Sequence, residues 1–380
     1  MKLLPVLALL AAAAPVAAAD PWATEAQAAL AKAGANRPQL ERALADVPAA
    51  QRAGMAFLVA NMPDRDLTAL SADFLLTNVR LAYQARADAP WGADIPEDVF
   101  LNAVLPYANL DERRDDWRAE FVELCRPIVR GCKAPTEATM RLNAELFPRL
   151  NLKYSTKRKA PNQSPRESIA QGLASCTGLS VVLADACRAV GVPARVVGTP
   201  LWANKRGNHT WVEVWDRGWH FTGACEPDPV GLDRGWFVGD AAQAVKGSPQ
   251  HAIFAASFRR TGLHFPLVWA KGSREVPAED VTDRYAKPAA RPADTARVLV
   301  RVVDAAGRRV AVRVTAMAAD DPAAKAEGTS RGETADANDL LGFDLRPDRA
   351  YIIRTAGAEK SVRTGPAGRE QVVELVRPAD

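Results

Sequence analysis

Between Ser164 and Thr222 the chain reads as helix, stop, strand and strand, and this order narrows the fold more than any other stretch. Ser164-Pro165-Arg166-Glu167 is a capping box with proline at the first helical position, so a short helix starts there and ends near Gly172. Ser175 can cap a second helix that begins at Cys176 and turns Leu179, Val182, Leu183, Ala186 and Val190 to one face. Gly191 ends that helix and Pro193 prevents its continuation. Residues 194–199 are β-branched and short, hence a strand. Residues 209–216 alternate in strand fashion, and Arg217-Gly218 turns them into a further strand at 219–222. A helix followed by a run of strands predicts an α+β fold, not a doubly wound parallel sheet.

The flanks differ in period. Residues 20–134 read mostly as helices, with Leu40, Leu44 and Val47 at helical spacing and Met62-Pro63 closing a later run. The α+β core is expected over 135–271, opening with an amphipathic helix near 136–150. Residues 272–293, rich in Pro, Ala and charge, read as a linker. Beyond them the period becomes two: Val298, Val300 and Val302 face one side and Arg297 and Arg301 the other. Residues 294–380 are therefore expected to form a β-sandwich. Within it, the polar stretch 320–339 reads as an exposed loop.

Composition excludes several classes. Lys and Arg exceed Asp and Glu by only four, and the basic run at 153–159 (KYSTKRK) reads as a solvated loop, so no nucleic-acid partner is expected. Residues 1–19 carry Lys2, a short apolar run and Ala17-Ala18-Ala19, the pattern of a cleaved signal peptide. An exported protein, periplasmic or secreted, is the expectation, with no membrane span. Five cysteines are too few for a disulfide-dense scaffold. Cys125 and Cys132 are close enough in sequence to pair or to stay apart, and Cys187 reads as packing.

Chemistry concentrates on Cys176 and His209. A helix start carries partial positive charge and unpaired N–H groups, which favour a thiolate and can hold an oxyanion. His209 opens a strand after a polar loop, a position from which a general base can reach a thiol. Gln171, five residues before the cysteine, is a candidate oxyanion donor. Cys176, His209 and Cys225 lack the spacing of a metal site, so neither metal nor cofactor is expected. His220, His251 and His264 read as packing or surface residues. The tryptophans at 202, 211, 215, 219 and 236 read mainly as core, with one or two lining a cleft.

Three segments together resemble the transglutaminase-like superfamily: 175–180 (SCTGLS), 189–195 (AVGVPAR) and 208–215 (NHTWVEVW). The resemblance covers about residues 135–245 and implies a papain-like α+β core with Cys176 as nucleophile and His209 as base. Members usually orient the histidine with an Asp on the next strand, where this chain has Gly223. The GACEP segment, 223–227, resembles a branch of bacterial members, and the resemblance then leaves Glu226, ahead of Asp228, as the third catalytic residue, or a Cys–His pair that works without a carboxylate. Glu213 reads as a structural or cleft residue. The implied activity is cysteine chemistry on amide bonds of a protein or peptide, hydrolysis or acyl transfer, with cell-envelope substrates suggested by export. The alternative is a binding or scaffold protein that keeps the fold without turnover.

Overall fold

The structure, a computed structural model, describes residues 21–286 and 294–378; residues 1–19, read as a signal peptide, lie outside them. Helices fill the chain from Ala23 to Arg149. Their longest, Ala72–Asp88, starts where the Ser71 hydroxyl accepts from the Phe74 amide. Such a cap is worth about 1 kcal/mol. This helical part is not a separate body. One hydrophobic core runs from Ala26 through Phe57, Leu142 and Val182 to Ala278, across the 134/135 division drawn from the sequence.

Polar groups tie the same two parts together from inside. Arg118, 2% exposed, donates to the carbonyls of Val104, Pro106 and Arg188 and to Asn78. Trp91 donates to the Gly191 carbonyl at 2.9 Å. Gly191 is the stop after the Cys176–Ala189 helix. Its φ is +76°, and a Cβ there would sit 2.6 Å from the Ala85 carbonyl. Only glycine meets both conditions without strain.

The Cys176–Ala189 helix packs against an antiparallel six-stranded sheet ordered Trp219–Thr222, His209–Trp215, Ala194–Thr199, Phe254–Ala256, Pro277–Asp280, Leu263–His264. The central strand Ala194–Thr199 is buried throughout, in keeping with its β-branched Val196, Val197 and Thr199. The α+β class is the one the sequence predicts. The linker expected from 272 is not a linker at its start: Pro277–Asp280 is a strand and Thr282–Tyr285 a short helix whose Tyr285 packs on Trp211. Proline suits the first position of a strand, so Pro277 did not forbid one.

The C-terminal part is a sandwich of a four-stranded and a three-stranded sheet around Val298, Val300, Val314, Phe343 and Ile353. In the smaller sheet, Glu370–Val376 pairs parallel with Ala296–Val303. The exposed loop expected over 320–339 is corrected in two ways. Asp321–Thr329 is an edge strand paired with Arg313–Ala318, and Ser330 and Asp336 are buried. The strand reads as a loop because an edge strand with polar residues and Pro322 lacks the apolar alternation of a covered one.

Candidate active site

Ser175 builds the start of the central helix. Its hydroxyl accepts from the Gly178 amide at 3.1 Å and donates to the Pro161 carbonyl. The cap leaves the amides of Cys176 and Thr177 without a partner in the helix itself. Cys176, the first helical residue, is partly exposed. One residue on, Thr177 shares a 3.0 Å hydroxyl contact with Thr210, the neighbour of His209. That contact fixes the helix start against the strand carrying His209. Cys176 and His209, separate in sequence, are thereby brought together: Cys176 Sγ and an imidazole nitrogen lie within 4.8 Å.

His209 is 1% exposed. Trp236 and Phe237 hold its ring at centroid distances of 4.6 and 4.9 Å, with Trp202 and Trp211 behind. Neither ring nitrogen has a hydrogen-bond partner.

A third group approaches that the sequence reading missed. Asp336, from the C-terminal sandwich and 3% exposed, brings Oδ2 to 3.6 Å from His209 Nδ1. Its carboxylate also lies within 4.8 Å of Cys176 Sγ. Burial disfavours a charged imidazole, but Asp336 and the Cys176 sulfur outweigh it and hold the His209 pKa well above its ordinary value. Burial likewise works against the Asp336 carboxylate, and His209 overcomes it to hold that pKa low. A triad carboxylate sits across the imidazole from the nucleophile. Asp336 instead lies within 4.8 Å of the thiol as well as beside Nδ1.

Asp336 is firmly held. Arg309 donates to its carbonyl at 2.7 Å, and the Asn338 amide donates to Asp336 Oδ1 at 2.8 Å. The loop around it docks on the core: Asn338 donates to the Asn208 carbonyl, Arg206 donates to the Asn338 carbonyl, and the Ala337 amide donates to Tyr154. One signal of this loop is in the sequence. Asp336-Ala337-Asn338 has the side-chain-to-backbone turn pattern of aspartate.

Glu226 lies on the expected segment, partly buried. A Cβ on Gly223 would fall 2.2 Å from Glu226 Oε2. The carboxylate therefore fills the space that a side chain at 223 would need. Trp236 Nε1 donates to it at 3.0 Å. Burial lifts the Glu226 pKa to about 7, with His209 pulling it down and Asp336 pushing it up. It is near enough to feel His209 but makes no hydrogen bond to it.

The other candidates disperse. Asp228 is turned to Arg234 at 3.0 Å, away from the histidine. Gln171 bonds the Lys157 carbonyl and the Lys159 amide, so it is not aimed at the thiol. Glu213 is structural: it pairs with Arg195 and Arg284 and accepts from Tyr285. His220 pairs with Asp233 and His251 faces the Leu201 carbonyl. All five cysteines are free thiols, Cys125 and Cys132 included, and Cys225 lies outside the Cys176 cluster.

Residues 122–241 match the family model described as the transglutaminase-like superfamily. Two solved structures are similar. One is a candidate cysteine protease from Cytophaga hutchinsonii, 19% identical, covering 37% of this chain with a TM-score of 0.28. The other is red sea bream transglutaminase, 12% identical, covering 73% of this chain with a TM-score of 0.30. The chain spans 46% and 65% of those two structures. No curated protein matches it.

Proposed function

We propose, from the transglutaminase-like segment at 122–241, that the chain is an exported cysteine enzyme acting on amide bonds of a protein or peptide. The observation that carries this reading is the approach of Cys176 Sγ and a His209 nitrogen to within 4.8 Å at a helix start. His209 takes the thiol proton and the thiolate adds to the amide carbonyl. The amides of Cys176 and Thr177 are the donors available to the resulting oxyanion. The C–N bond then breaks as His209 returns the proton to the leaving amine, and a thioester remains. Water or a second amine attacks the thioester, its proton passes to His209, and the thiol is restored. Glu226 serves as a positioning residue through its charge near His209. The leader-like pattern at 1–19 supports export and substrates of the cell envelope.

A specific observation favours a second reading, a binding protein without turnover: His209 is 1% exposed beneath the Asp336 loop. Iodoacetamide followed by peptide mass spectrometry separates the two. Labelling of Cys176 faster than Cys225, and abolished in His209→Ala, supports the enzyme. Labelling no faster than an ordinary thiol, with no product from a peptide and amine library, leaves the binding protein.

A further inference from the structure

We propose that Cys176, His209 and Asp336 bind a borderline-soft divalent cation, zinc foremost, and that the ion locks the C-terminal sandwich onto the core beside the thiol. The three donors are a thiol sulfur, an imidazole nitrogen and a carboxylate oxygen, all within 4.8 Å of one another. They come from a helix start, a strand and a loop of the sandwich. Sulfur with nitrogen selects zinc-like ions; calcium and magnesium want oxygen alone.

The His209 ring is 1% exposed, makes no close hydrogen bond, and has Asp336 Oδ2 3.6 Å from Nδ1. A contact that long leaves the buried ring short of full hydrogen bonding, which an ion seated among the three donors would complete. The carboxylate is set for the role. Oδ1 is held by the Asn338 amide, which leaves Oδ2 to face the histidine at 3.6 Å. Such outer contacts fix a ligand's orientation before an ion arrives. Bonds of about 2.0–2.3 Å to a central ion set ligand atoms roughly 3–4 Å apart, so side-chain movements of about 1 Å close the site. Cys176 is partly exposed, which gives the ion a path in and a water its fourth position.

Binding exchanges protons for the ion. The thiol proton, and the imidazole proton where present, leave to solvent, and nothing is oxidised or reduced. The loaded form is latent, because the nucleophile is a ligand and the loop is fastened to it. The proposal needs only the three donors and stands apart from the thioester chemistry.

The test uses the full chain, stripped with a chelator and titrated with Co²⁺ alone. The expected result is a thiolate-to-cobalt charge-transfer band at one ion per chain, displaced by Zn²⁺ and absent in Cys176→Ala. Asp336→Ala should weaken Co²⁺ by more than roughly tenfold, the least that losing even an outer-sphere partner costs. Asp336→Asn, which keeps the shape and the Asn338 contact, serves if the alanine variant fails to fold. Zn²⁺ should also shield Cys176 from iodoacetamide until the chelator is restored. No band in the wild type overturns the proposal. So does a band whose affinity is unchanged without the Asp336 carboxylate, since two donors of the core then suffice. Slow labelling of the metal-free chain would count against the enzyme reading and leave the cobalt result to judge this one.

Discussion

Glu226→Gln separates the charge of this residue from its shape. Burial raises the Glu226 pKa from 4.5 to about 7. The glutamine keeps an oxygen for the Trp236 indole, which donates to Oε2 at 3.0 Å. Below pH 4.5 folded and unfolded chains both hold the carboxyl proton, and the group contributes no pH dependence. Between about 4.5 and 7 the unfolded chain ionises while the folded one keeps its proton, so stability falls as pH rises. Above about 7 both are ionised and the loss is complete. At about 1.4 kcal/mol per pH unit, the loss is about 3 kcal/mol. Glu226→Gln should therefore gain on the wild type by about 3 kcal/mol between pH 4.5 and pH 8, read from urea unfolding at both values. Carbon-13 NMR of labelled glutamate carboxyls should show one group titrating near 7, missing in the variant. Parallel stability curves, with every carboxyl titrating near 4.5, would refute the reasoning.

Three further outcomes rest on the packing. Ser175→Ala removes the helix cap and should cost about 1 kcal/mol while slowing alkylation of Cys176; an unchanged labelling rate would detach the cap from the thiol. Arg118→Ala strands several buried carbonyls and Asn78, and should cost about 3–5 kcal/mol by denaturant unfolding; a loss under about 1 kcal/mol would mean water replaces the guanidinium. The His209–Asp336 pair has a defined pH window. The raised histidine stabilises fully below its ordinary value of about 6.5, a contribution lost as pH rises through its higher folded value. The lowered aspartate stabilises above about 3.9 and is lost as pH falls through its lower folded value. The thermal midpoint of Asp336→Asn should thus trail the wild type most between about pH 4 and 6.5, and a constant gap across pH would contradict the pairing.

The helix at Cys176 was legible because cap, period and stop agree locally: Ser175, the apolar face, then Gly191 and Pro193. His209 was legible for the same reason, as the first residue of an alternating strand. Asp336 was not. Its partner His209 lies in another part of the chain, and the polar wording around it describes contacts with Arg309 and the core as readily as contacts with water. Pro277–Asp280 and Asp321–Thr329 escaped because their pairing partners, rather than their own side chains, make them strands. The Gly223 and Glu226 arrangement could be suspected from sequence, but the carboxylate folding back over the glycine is a matter of backbone path.

The seat of the Asp336 loop also sets an exchange rate for recognition. On the proposed reading, a substrate that must touch His209 itself needs the ring uncovered, because it is 1% exposed. If about one molecule in a hundred has the ring uncovered at any instant, every such substrate binds about a hundredfold more weakly than an uncovered site would allow. Arg206 and Asn338, which fasten the loop without touching the thiol, then govern apparent affinity for all substrates alike. Sequence drift at those two positions would tune the dose response while leaving selectivity among substrates where it was.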